Sequence, residues 1–241
     1  MRGLFSYDGP VMKVMTDVMD LVILNFLTIL CCIPIVTAGA AFASLHYVLM
    51  QIRDDRGGSR IKTFFQQFKG NLKSAIPVWL VFLAAGFILF IDYQVYMTSE
   101  GSQRWVLVPV FVGGLVFGAL FVWVFPLLSR FENRFAATMK NALILSVGYA
   151  PRTLGMIAIH GVCIFLFTQV TSLFPLLAFL GFSLPAYLSM FLYYPVIDKM
   201  VKQAKPQEEE PADETDGFDA FDWEGIKASG TDESGQEAGK E

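Results

Sequence analysis

Charge is what this sequence has least of. Asp, Glu, Lys and Arg supply 17% of its 241 residues and hydrophobic residues 54%, whereas a soluble domain carries about 25% charge. A water-soluble fold of this composition would leave far more apolar surface against water than such proteins tolerate, which excludes that class. Cysteine is sparse too: Cys31, Cys32 and Cys163 all sit inside apolar runs. Adjacent cysteines cannot chelate as a Cys-x-x-Cys pair does, and no His pair stands at ligand spacing. No metal or other cofactor is therefore expected, and the thiols read as buried and inert. Missing as well are a Gly-x-Ser-x-Gly elbow, a His-Glu-x-x-His pair and a phosphate-binding Gly-rich loop ending in Lys-Ser/Thr. No enzymatic activity is expected. The N-terminal segment lacks a secretory signal, because Asp8, Asp17 and Asp20 stand beside Arg2 and Lys13 where a basic region belongs.

What is present is a set of long charge-free stretches, residues 21–52, 74–91, 105–129 and 153–197. A membrane-spanning helix needs about 20 largely apolar residues. The second and third stretches are each one span long, and the fourth holds two spans joined near Thr171-Ser172. The first is long for one span and short for two, and Pro34 with Thr37-Ala38-Gly39-Ala40 breaks it in the middle. The favoured reading is a span over residues 20–36 followed by an Ala-rich helix over 39–52 packed inside the bundle. The alternative is a hairpin of two short re-entrant helices. The expected fold is all-α, a polytopic transmembrane helix bundle of five spans, or six if the first stretch crosses twice.

The loops set the orientation. Arg53, Arg56, Arg60, Lys62, Lys69 and Lys73 crowd the first loop, Arg130, Arg134, Lys140 and Arg152 mark the third, and Lys199, Lys202 and Lys205 follow the last span. The loops between hold almost no basic residue, so the basic loops and the C-terminus are expected in the cytoplasm of a bacterial plasma membrane. Tyr93, Tyr96 and Trp105 suit an outer aromatic belt, Tyr193 and Tyr194 an inner one. Both large basic loops read as amphipathic helices lying on the membrane surface. One presents Ile61, Phe64, Phe65, Phe68 and Leu72, the other Phe131, Phe135, Met139 and Ala142.

The transmembrane domain is expected over residues 1–202, with a disordered acidic tail over 203–241. The tail holds roughly 13 acidic and 3 basic side chains, which leaves the body net about +6 and the tail about −10. Within the tail, Phe218, Phe221 and Trp223 alternate with acidic residues, a pattern suited to docking on a basic, apolar partner groove. The bilayer is the one obligatory partner, and no nucleic acid is expected. Inside the apolar runs the notable polar groups are Asn25, Thr28, His46, His160 and Gln169. Polar groups at membrane depth are costly and mark the default place to look for function, so His46, His160 and Asn25 are the candidate intramembrane site. A histidine bonded to a neighbouring backbone is the plainer explanation. No acidic or basic residue stands near the middle of a span, which counts against ion-coupled transport.

Asn25-Phe26-Leu27, Ile33-Pro34-Ile35-Val36-Thr37-Ala38-Gly39-Ala40-Ala41, Arg53-Asp54-Asp55 and Phe64-x-x-x-Phe68-Lys69-x-Asn71 together resemble the YesL-like family of bacterial membrane proteins of unknown function. So do the segments from Pro126 to Asn133 and from Pro195 to Lys199. The similarity covers roughly residues 1–200. It departs from the family at Ala40, where a proline is usual, and the acidic tail looks like an addition. The resemblance implies a plasma-membrane protein linked to carbohydrate import, with no catalytic residues to carry over. Two functions follow as expectations: an accessory or regulatory partner of a carbohydrate transporter, and a small solute permease or channel.

Overall fold

The computed structural model describes residues 10–98, 107–131, 134–169 and 174–204. The chain divides into Met1–Met200 and Val201–Glu241, and the second unit is described only as far as residue 204. Among the described residues every regular element is helical: α1 (Pro10–Cys32), a 3-10 turn (Ile35–Thr37), α2 (Ala38–Arg53), α3 (Arg60–Thr98), α4 (Leu107–Arg130), α5 (Phe135–Gly148), α6 (Ala150–Gln169), α7 (Phe174–Leu180) and α8 (Ser183–Ala204). Five of these helices are long and apolar enough to cross a membrane: α1, α2 with its 3-10 turn, α3, α4 and α6. The chain is an all-α membrane protein.

At the centre of the bundle stands α2. Twelve of its sixteen residues are buried, so it is covered on all sides as only a core helix is. Its Ala, Gly and Ser side chains make that possible by letting neighbouring backbones come close. The closest approach is to α3, where a methyl group added at Gly39 would lie 2.7 Å from Trp79 Cβ and 3.1 Å from the Ala75 carbonyl oxygen. Phe42, on the same helix, touches the rings of Trp79, Phe121, Phe125 and Phe182 at centroid distances of 5.4–5.9 Å.

The first stretch folds as a helical hairpin. Lys13 pairs with Asp55 at 3.4 Å and Asp20 with Arg60 at 3.3 Å, which puts the start of α1 beside the end of α2. The N-terminal end of α1 thus shares one end of the bundle with the basic α2–α3 loop. The turn of the hairpin lies opposite Trp79, whose indole N–H donates to the Ile35 carbonyl at 2.6 Å. From Trp79, α3 runs on to Thr98, about 28 Å at 1.5 Å per residue. The turn therefore stands partway along α3 and not at its far end, and the Ala-rich helix packs inside the bundle as the favoured reading has it. Pro34 explains the break, since it supplies no backbone donor; the Thr37 hydroxyl and Trp79 then cap the carbonyls of Cys31, Pro34 and Ile35.

Three further expectations change. The first basic connector is not a separate surface helix but the opening turns of α3, a helix of 39 residues that runs unbroken through Gly70 and Pro77. Phe64, Asn71, Ala75, Val78 and Phe82 form its buried stripe. The second connector is a separate helix, α5, but it buries Thr138, Ala142, Leu145 and Ser146 and leaves Phe135 exposed. It is held there by Thr153, whose hydroxyl donates to the Ser146 carbonyl at 3.0 Å and accepts from the Trp123 indole at 2.8 Å. The last span is broken at Gly181-Phe182 into the seven-residue α7 and the longer α8.

At the basic end, Asp54 gathers the helix ends. It pairs with Arg56 at 2.6 Å and Arg130 at 3.3 Å and accepts a hydrogen bond from the Tyr194 hydroxyl. Arg130 also lies over the Tyr47 ring and Arg53 over Phe191, contacts that use the negative ring face. Asp54 precedes a Schellman closure of α2, in which Asp55 takes the left-handed conformation (φ 54°) and Arg56 N–H reaches back to the Gln51 carbonyl.

The α2–α3 contact yields the first prediction. Gly39→Val should lower stability by about 2–3 kcal/mol through overpacking, while Gly70→Ala, which meets nothing within 4 Å, should be neutral or stabilising. Unfolding in mixed detergent micelles compares the two, and equal effects would refute close packing at Gly39.

Candidate functional site

The polar residues nominated from the sequence come together. His46 on α2 and His160 on α6 line one cavity of about 570 Å³, bordered by Ile29 of α1, Phe42 and Leu45 of α2, Phe121 and Phe125 of α4, and the α7–α8 break at Gly181 and Phe182. The volume falls in the range of small-molecule sites. The wall is apolar and aromatic apart from the two imidazoles. Asn25 does not line it but builds it: its side-chain amide donates to the Ala178 carbonyl at 2.7 Å and its oxygen accepts from the amides of Phe182 at 2.8 Å and Ser183 at 3.3 Å. One buried side chain therefore satisfies the last carbonyl side of α7 and the first amides of α8, where a gap in a helix would otherwise leave orphaned groups. Ser183 Oγ stays buried without a partner at this same break. Thr28 bonds back to the Leu24 carbonyl at 2.7 Å, and Gln169 is exposed at the end of α6.

Hydrogen bonding fixes what each imidazole presents. His160 Nδ1 lies 2.9 Å from the Met156 carbonyl of its own helix; a carbonyl only accepts, so Nδ1 carries the hydrogen and Nε2 is left as an acceptor. His46 Nδ1 lies 2.8 Å from the Tyr193 hydroxyl. Tyr193 is fully buried, and His46 Nδ1 is the acceptor within reach of its O–H. The hydroxyl therefore donates, and His46 carries its own hydrogen on Nε2. His160 is thus bonded to backbone, as the plainer expectation has it, though to its own helix and not to a neighbouring one.

Sequence reasoning missed Tyr193, Tyr194, Trp79 and Asp54. The two tyrosines, read as an inner belt, are instead the buried partner of His46 and a ligand of Asp54. Asp54 was visible as an acidic residue amid Arg53, Arg56 and Arg60. The tail residues Phe218, Phe221 and Trp223 and the belt residue Trp105 lie outside the described residues.

Asn25→Leu should cost about 3 kcal/mol by stranding buried backbone groups and should speed amide hydrogen exchange at Phe182 and Ser183 while leaving α4 protected. Unchanged exchange at these two amides would show that Asn25 does not hold the break.

Comparison with known proteins agrees with the resemblance read from the motifs. Residues 21–93 match the family described as protein of unknown function, DUF624, a segment covering the second half of α1, the hairpin turn, α2 and most of α3. The chain is also 29% identical over 140 residues, 58% of its own length, to the uncharacterized protein YteU of Bacillus subtilis (strain 168). The matched region spans 62% of that relative's length. No solved structure matches. Over its hairpin and third helix the chain is similar to this family of unknown function.

Proposed function

We propose that this chain is a small-solute binding protein of the bacterial plasma membrane, of the permease kind, with its basic end and C-terminus toward the cytoplasm. The observation that carries the reading is the cavity itself. A partly open cavity of about 570 Å³ lies against a broken helix, and both histidines of the chain line it. Broken helices beside a binding site are how membrane transport folds combine a site with movable parts. Here the break at residues 181–182 borders the cavity directly, through Gly181 and Phe182. The solute is mostly apolar, because the wall is. Such a molecule crosses lipid unaided, so binding is a sharper test than flux.

Ala186 lines the cavity from α8 and is buried, so Ala186→Phe fills the space, whereas Ala84→Phe on the exposed side of α3 does not. Small molecules that copurify from native membranes, identified by mass spectrometry, should be retained by the wild type and Ala84→Phe. They should fall about tenfold or more in Ala186→Phe, the equivalent of roughly 1.4 kcal/mol or more of binding energy. Identical molecules and amounts in all three would sink the reading.

A second reading, an accessory partner of a carbohydrate uptake system, draws on α5. Leu143, Ile144 and Val147 are 51%, 56% and 71% exposed on the side turned away from the bundle, an apolar strip beside the basic residues Lys140 and Arg134. In this reading Phe218, Phe221 and Trp223 add a second contact. Crosslinked purification of the full chain and of a chain truncated after Lys202 tests it: a transporter retained only by the full chain supports docking through the tail, and recovery of this chain alone in both samples removes the accessory role.

A further inference from the structure

We infer that the cavity between α2, α6 and the α7–α8 break recognises an uncharged, largely apolar molecule bearing one hydroxyl group, held between His46 and His160. This deepens the proposed function and rests on the cavity being a ligand site. The two imidazoles offer opposite hydrogen-bonding characters: His160 Nε2 accepts because its Nδ1 is committed to the Met156 carbonyl, and His46 Nε2 donates because its Nδ1 receives the Tyr193 hydroxyl. Both residues line the same space. A hydroxyl is the smallest group that donates and accepts at once, so it serves both nitrogens and leaves none unpaired.

Other ligand classes fit less well. A sugar carries several hydroxyls, and burying them against Phe42, Phe121, Phe125 and Phe182 would strand most of them without partners. An anion would need a cation or free amides, yet no Lys or Arg lines the cavity and the Phe182 and Ser183 amides already serve Asn25. A cation finds no carboxylate in the wall. A plain hydrocarbon would fill the space but leave both Nε2 positions without a partner.

Three probes of one shape test the inference: 2-naphthol, which donates and accepts, 2-methoxynaphthalene, which only accepts, and 2-methylnaphthalene, which does neither. Equilibrium dialysis against the full chain in lipid nanodiscs, with empty nanodiscs subtracted, gives the saturable affinity of each. One neutral hydrogen bond is worth about fivefold. The expected order is naphthol tightest, the methyl ether weaker by about fivefold, and the hydrocarbon weaker by about twentyfold. His160→Leu, which keeps the bulk and removes the acceptor, should collapse the gap between naphthol and its ether to within about twofold. Equal saturable binding of all three probes to the wild-type chain would overturn hydroxyl recognition and leave the cavity as an apolar site. No saturable binding of any probe would overturn both this inference and the proposed function. The wild-type series decides the matter even where the variant fails to fold.

Discussion

Inside an apolar surrounding no water is available to a peptide group, so each N–H and C=O freed by a break in a helix must find its partner within the protein. Two breaks define this bundle, and each is closed from a distance. The turn after α1 gives up its carbonyls to Thr37 and to the indole of Trp79 on α3. The gap between α7 and α8 is bridged by Asn25 on α1. The closures interlock: α1 holds the second break while α3 holds the turn in which α1 ends. With these four elements fixed, α2 is enclosed on all sides. The space left beside it, against the α7–α8 break, is the cavity.

The opposite end is tied by charge. Asp54, with Arg56, Arg130 and the Tyr194 hydroxyl around it, joins the α2–α3 loop to the end of α4 and the middle of α8. Its pair with Arg130 is only partly screened, with side-chain exposures of 9% for Asp54 and 13% for Arg130, so that pair matters more than a surface contact such as Lys13–Asp55. The motif residues that carry the family resemblance are largely these closure points: Asn25 at the break, Gly39 at the closest helix approach, Asp54 and Arg130 in the cluster. The matched segment 21–93 holds the side chains that make both closures, Thr37 and Trp79 at the turn and Asn25 at the α7–α8 break.

Much of this was legible in the sequence. Charge-free runs mark α4 and α6, since hydropathy reports what a helix sits in. Hydropathy does not report continuity, and so the basic turns of α3 looked like a separate element. Gly70 and Pro77 resemble breaks, yet the helix passes through both because its buried stripe from Phe64 to Phe82 keeps one periodicity. The cost of a polar group at depth picked out Asn25, His46 and His160. It could not show that they converge, because Asn25 meets its partners more than 150 positions along the chain. Tyr193 escaped notice for a related reason: a tyrosine near a span end suits a membrane interface equally well, and only the packing of α8 on α2 turns it inward.

The reach of Asn25 also bears on how the chain is made. Its amide contacts lie 157 and 158 residues downstream, a stretch that takes about 8–30 s to synthesise at 5–20 residues per second. Through that interval the hairpin is already in the membrane with its buried amide uncommitted, and only the arrival of the final helix retires it. The α7–α8 break therefore cannot close until the last segment is made, and a chain that stops short of α7 lacks every one of these partners for Asn25.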